Sequence, residues 1–186
     1  MKRYMVVAIL MISMGLAMLS GCADKRIPWR DAFDASGLTW DASIFESENG
    51  RISFLYEKGK DELYAVEDTD RIHVSFEKQY SVVIDYYQGV QNMDEAEKEL
   101  RESYQNTAES TLSDNTEAGE IAGYTGRHIS LSGSLGEGGV YFCNTETGYL
   151  CVYYMSAADC GDDDRVHMEN IVQSVRVGQF LESGVG

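Results

Sequence analysis

The stretch Val82-Val83-Ile84-Asp85-Tyr86-Tyr87 leads through Gln88-Gly89-Val90-Gln91 into Asn92-Met93-Asp94-Glu95-Ala96, and the change of period between the two decides the fold. In the first, Val82, Ile84 and Tyr86 alternate with Ser81, Val83, Asp85 and Tyr87, as in a strand with one face on a core and the other wet. In the second, Asn92 and Glu95 have capping-box spacing, and Met93, Ala96, Leu100 and Tyr104 form a single apolar stripe. Asp94, Glu95, Glu97, Lys98, Glu99, Arg101 and Glu102 fill the other faces, which predicts an amphipathic helix lying on a sheet.

Outward from this junction the same two periods recur. Ile52, Phe54 and Tyr56 fall on one face, and Glu57-Lys58-Gly59-Lys60-Asp61 makes a polar turn into Leu63-Tyr64-Ala65-Val66. Ile72, Val74 and Phe76 alternate with Arg71, His73, Ser75 and Glu77. Further strands are predicted at Ile121–Tyr124, Arg127–Leu131, Gly139–Cys143 and Tyr149–Met155, with 144–148 joining the last two as a hairpin. Asp162-Asp163-Asp164 opens a second helix, where acid meets the positive end of the backbone dipole, and Met168, Ile171, Val172 and Val175 give it an apolar face. Strands, helix, strands, helix without regular βαβ alternation predict an α+β fold, a mainly antiparallel sheet packed with two amphipathic helices.

The run 82–87 into the helix 92–104, the segment 119–124 and the closing helix 168–175 together resemble the Mog1/PsbP-like family of small α+β domains. These are generic hydrophobic patterns spanning roughly residues 50–177. The resemblance implies the fold, a sandwich of this type, and brings no site with it, since members differ widely in function.

Upstream lies an address. Met1-Lys2-Arg3 precedes an apolar stretch from Tyr4 to Leu19 that ends in Leu19-Ser20-Gly21-Cys22. Cations hold such a segment on the cytoplasmic side while the apolar run, marginal against the roughly 20 residues of a permanent span, enters the membrane. Leu-Ser-Gly-Cys resembles the lipobox of bacterial lipoprotein signal peptides. That resemblance implies cleavage between Gly21 and Cys22, diacylglyceryl (palmitate-type) lipid on the Cys22 thiol, and an anchor on the extracytoplasmic face of the cell membrane. The domain organisation that follows is a signal peptide over 1–21, lipid anchor and tether over 22–39, and a single α+β domain over 40–186.

The chain of 186 residues carries 31 acids against 15 lysines and arginines, a formal charge of −16. Loss of Lys2 and Arg3 with the leader makes it more acidic still, so phosphate is repelled and a duplex nucleic-acid partner is excluded. Lys25, Arg26 and Arg30 follow the lipid site and can touch anionic headgroups.

Chemistry-bearing motifs are sparse. Cys143 and Cys151 stand at equal parity near the two ends of a hairpin, so one register puts them on one face, and Cys160 in a turn could fold back on either. One disulfide among the three and three reduced thiols both fit the sequence. His73 and His128 sit on the polar parity of their strands and His167 lies in the second helix; all three read as partly exposed surface histidines. No metal ligand set is expected, and Asp159, Asp162, Asp163 and Asp164 lack EF-hand spacing and read as the start of the second helix. Segment 133–139 is glycine-rich but has an acid where a phosphate loop needs lysine, and reads as a mobile hairpin loop.

Twelve tyrosines include Tyr87, Tyr141, Tyr149 and Tyr153, which as outward residues on neighbouring strands would form a binding patch, or else would pack across strands and simply stabilise the sheet. The expected function is a non-enzymatic interaction or accessory module, without cofactor or catalytic residue, for an unknown protein or envelope partner. The alternatives are a small-ligand or cation-binding lipoprotein associated with a transporter, with a closed pocket between sheet and helix or clustered carboxylates, and an enzyme with an unfamiliar site.

Overall fold

A computed structural model describes residues 38–66, 70–105 and 110–178. Cys22 and Gly21, the lipidation and cleavage residues, lie outside them. The strands are β1 (Ala42–Glu46), β2 (Ile52–Glu57), β3 (Glu62–Ala65), β4 (Arg71–Phe76) and β5 (Tyr80–Gln88), followed by helix α1 (Met93–Tyr104). Then come β6 (Ser110–Leu112), β7 (Glu117–Ile121), β8 (Tyr124–Gly133), β9 (Gly136–Asn144), β10 (Gly148–Ala157), helix α2 (Asp162–Ser174) and β11 (Arg176–Val177).

One sheet runs β3-β4-β5-β10-β9-β8-β6, with β7 also pairing β8, and a small sheet runs β1-β2-β11. Every pairing between these strands is antiparallel. The α+β class read from the periods is the observed one.

The large sheet has two differently covered faces. On one, Ile72, Val74, Val82, Ile84, Leu150 and Val152 meet Met168, Ile171 and Val172 of α2 and Phe54 of the small sheet. Each of these side chains is at most 2% exposed, so among the described residues helix and sheet meet here as a solid core. On the other face Leu100 of α1 covers Ile129, Leu131, Val140, Phe142 and Cys151, with Met93, Ala96 and Tyr104 packed alongside.

Both helices start as their sequences dictate. The Asn92 side chain accepts from the backbone N–H of Asp94 at 3.0 Å and of Glu95 at 3.4 Å, and α1 follows. For α2 the N-cap is Gly161, which has no side chain to offer, and the acids of the first turn act through the dipole. Asp164 also pairs with Lys60 at 2.7 Å, and no cluster of three or more metal-type ligands forms among the described residues.

Two local readings are corrected. The segment 121–124 is not a strand: Ile121 ends β7, Tyr124 begins β8, and Ala122 and Gly123, at φ 56° and 79°, make the tight turn between them. The glycine-rich stretch is likewise not a mobile loop. Only Ser134 and Leu135 turn, and Gly136, Gly138 and Gly139 are strand residues of β9 packed against β10 or its neighbours. Leu38 and Trp40 pack together against the fully buried Leu55.

Candidate functional site

Strands β3, β4 and β5 turn a face to the α1 side of the sheet that α1, seated over β8–β10, does not reach. The register builds it in rows. Tyr64 stands opposite His73, His73 opposite Val83, and Val83 opposite Tyr153. In the next row Arg71 stands opposite Asp85 and Asp85 opposite Cys151, and at the sheet's end Tyr87 stands opposite Tyr149. Tyr64 is 66% exposed and Tyr87 48%.

The centre of this face is a fork-on-fork ion pair. Arg71 donates from Nε to Asp85 Oδ1 at 2.6 Å and from Nη2 to Oδ2 at 2.8 Å. Asp85 is buried beneath it while the guanidinium is half exposed. The hydrogen bonds to Asp85 raise the Arg71 pKa, so its charge is permanent. Tyr87 donates to Asp85 Oδ2 at 3.4 Å, and its ring lies 6.1 Å from that of Tyr149. Burial first, and then the Asp85 charge, raises the Tyr87 pKa and keeps its phenol protonated. The result is a face with one fixed cation, a neutralised carboxylate beneath it, and projecting aromatic rings, the side-chain types enriched at protein interfaces.

Of the four tyrosines expected in one patch, three gather here and one does not. Tyr149 is 8% exposed and Tyr153 half-buried, so they form the floor beside Tyr87. Tyr141 stands opposite Val152 and therefore on the α2 side, where its ring meets His128 and Tyr154. Tyr64, Arg71 and Asp85 were not read from the sequence as site residues, although the outward parity of Arg71 and Asp85 against Ile72 and Ile84 was the signal available.

The cysteines are separated by the same logic. Cys143 is paired with Leu150 and Cys151 with Phe142, so the two thiols point to opposite faces and cannot be bridged. Cys160 sits before α2 with Sγ 3.5 Å from the Gly161 carbonyl oxygen, and all three are free thiols. Burial pushes the Cys143 pKa up to about 11 and that of Cys151 up to about 12.

His167 overturns the surface reading. It is 3% exposed, its Nε2 lies 3.0 Å from Asp61 Oδ2, and the Trp40 ring covers it at 4.3 Å. Tyr80 donates to Asp61 Oδ1 on the other side. Histidine, acid and phenol converge, but in the interior rather than in a cleft. His73 Nε2 pairs with Ser81 Oγ at 2.8 Å and His128 Nε2 with the Tyr154 hydroxyl at 2.9 Å, both half-buried. Open clefts lie elsewhere: about 540 Å³ at the sheet's end around Tyr86, Gln88 and Tyr124, and about 810 Å³ between β1 and β4, with Arg51 between them.

No family model matches the chain, and no curated protein matches it. Among solved structures, that of cyanobacterial PsbP (CyanoP) from Synechocystis sp. PCC 6803 superposes with a TM-score of 0.53 at 10% identity, covering 76% of this chain and 95% of that one. LpqN, described as involved in cell envelope biogenesis of Mycobacterium tuberculosis, gives 0.37 at 10% identity over 77% of this chain and 88% of that one, a level that supports nothing further. The first likeness shows the fold alone: the chain has a PsbP-like α+β architecture.

Proposed function

We propose that the chain is a non-enzymatic interaction module held by lipid on Cys22 at the extracytoplasmic face of a bacterial membrane, and that it meets a protein partner through the open face of β3, β4 and β5. The observation that carries this reading is the pairing of exposed Tyr64 and Tyr87 with the Arg71–Asp85 fork on a sheet face to one side of its covering helix. Tyrosine and arginine supply large contact area and directional hydrogen bonds, and they dominate binding energy at interfaces. Trp40, near the start of the described residues, packs on His167 of α2, on the other side of the sheet from this face. The leader, apolar run and Leu-Ser-Gly-Cys sequence support the lipid site.

The test is site-specific photocrosslinking in intact cells, with a photoreactive phenylalanine analogue at Tyr64 or Tyr87 and, as control, at the exposed Ser132 on the other face. One protein captured from both tyrosine positions and absent from the control supports the reading; no reproducible adduct, or equal capture at Ser132, overturns it. Fractionation of Cys22→Ala tests the anchor separately, with release from the membrane expected.

A further inference from the structure

The α2 side of the sheet carries a second aromatic array. His128, Tyr141 and Tyr154 stand on β8, β9 and β10, and glycines beside them let their rings lie down across the strands. A Cβ at Gly119 would meet the Tyr141 ring at 3.1 Å, and one at Gly139 would meet His128 Nε2 at 2.4 Å and the Tyr154 hydroxyl at 2.8 Å. The three rings lie like overlapping tiles. His128 and Tyr141 centroids are 4.3 Å apart and those of Tyr141 and Tyr154 5.8 Å, with interplanar angles between 15° and 32° across the set. All three are half-buried, and Ser130 and Ser132 beyond them on the same face are exposed.

The His128–Tyr154 hydrogen bond joins two of the tiles at their polar edges, and each of the three residues keeps part of its surface in solvent. The surroundings are acidic: exposed Glu117 is the cross-strand partner of His128, and exposed Glu169 of α2 acts on the Tyr154 phenol. The nearest cation on α2, Arg165, is paired with Glu137. Burial, with Glu117 pulling the other way, holds His128 below the ordinary imidazole range, so the ring adds no positive charge at neutral pH.

We propose that this tiled surface binds a quaternary ammonium group, the trimethylammonium head of a small free molecule. The negative faces of aromatic rings attract cations, and recognition of quaternary ammonium by aromatic surfaces is the established use of that attraction. Carboxylates at the rim and a chain charge of −16 favour a cation and repel anions. A tetraalkylammonium needs no hydrogen-bond acceptor, whereas lysine and arginine bring three and five donors that these ring faces cannot satisfy. The site is independent of the β3–β5 face and stands or falls separately.

The test follows backbone amide shifts of the full chain in maltoside micelles during titration with choline chloride, sodium chloride being the reference. Parallel titrations use 3,3-dimethylbutanol, the neutral isostere of choline, argininamide, and phosphatidylcholine vesicles. Saturable shifts at Gly119 and Gly139 with choline, weaker with the isostere, are expected. Tyr141→Leu should weaken binding roughly twofold to thirtyfold, and Glu117→Gln and Glu169→Gln, at exposed positions that leave the fold intact, should each weaken it too. The proposal is overturned by no saturable shift with choline, by equal binding of the isostere, or by binding of argininamide or vesicles without choline.

Discussion

His167 and Asp61, 106 residues apart in the chain, hydrogen-bond in the interior with Nε2 3.0 Å from Oδ2 and side-chain exposures of 3% and 0%. The pair ties α2 to the β2–β3 turn. Asp61 also accepts from the Glu57 backbone N–H at 2.7 Å and from the Tyr80 hydroxyl, so its carboxylate is the hub of three elements. Removing one partner of a buried pair strands the other. Asp61→Ala is therefore expected to cost about 3–5 kcal/mol in denaturant unfolding. In a double-mutant cycle with His167→Ala the two losses should fall well short of adding; full additivity would mean the residues are uncoupled.

The same carboxylate sets an acid limb. Burial alone would raise the Asp61 pKa, but the hydrogen bonds from His167, Tyr80 and the Glu57 N–H outweigh it and hold the group below its ordinary value of 3.8. A carboxylate with a depressed folded-state pKa contributes its stability in full above the unfolded value, and the contribution is lost as pH falls through the folded one. Thermal unfolding between pH 5 and pH 2 should thus show a steeper acid decline for the parent than for Asp61→Asn, which has no proton to gain. Parallel curves would remove Asp61 from the account.

The local periods carried most of this fold, and long-range register carried the rest. Val82, Ile84 and Tyr86 declared their face because a strand alternates whatever its neighbours do. Cys143 and Cys151 have the same parity, but which faces they share depends on the offset between β9 and β10, which places Cys151 opposite Phe142. Tyr141 parted from Tyr149 and Tyr153 for the same reason. His167 followed a helix period to the buried side, but its acid partner comes from a turn that reads as polar and solvated. A charged turn residue carries no local mark of being folded inward, so Asp61 was not legible.

Opposite faces make a definite statement about oxidation. Purified from an oxidising compartment and digested without reduction, the protein should yield no Cys143–Cys151 linked peptide. Their thiols, held largely protonated by burial, should react with iodoacetamide only as fast as the domain opens. Rapid labelling of the folded protein, or the linked peptide itself, would contradict the register.

Two glycines should respond in opposite directions. A Cβ at Gly138 would lie 2.0 Å from the Tyr154 carbonyl oxygen and 2.8 Å from Met155 Cα, both backbone atoms of the central strand β10. Gly138→Ala must push strands apart, and a loss of about 1–3 kcal/mol is expected from overpacking of this kind. At Gly161 the N-cap of α2 has φ −64° and ψ 151°, and the nearest atom to a new Cβ is Asp164 Oδ2 at 3.9 Å. Gly161→Ser supplies the missing cap oxygen and should stabilise by a few tenths of a kcal/mol. Melting temperatures moving the same way for both would be inconsistent with this placement.

Tyr64 and Tyr87 separate folding from recognition. Their side chains project 66% and 48% into solvent, so Tyr64→Ala and Tyr87→Ala remove little packed area from the domain. Tyr64→Ala should change unfolding free energy within about 0.5 kcal/mol, the usual range for surface substitutions. Tyr87→Ala loses more, because its ring lies against Tyr149 and its hydroxyl reaches Asp85. Partner capture should fall in both, by roughly tenfold or more if either is an interface anchor, since truncated hot-spot residues cost about 2 kcal/mol or more. Arg71→Ala is the instructive third variant. It strips the guanidinium from a buried carboxylate, so it should lower both stability and capture, whereas Arg71→Lys keeps the charge but loses the fork. A module that recognises its partner through this face therefore has one variant that is silent in melting and strong in binding, Tyr64→Ala, and one that is strong in both, Arg71→Ala. If all three tyrosine and arginine variants bind as the parent does, the face is ordinary solvent-exposed sheet and the partner sits elsewhere.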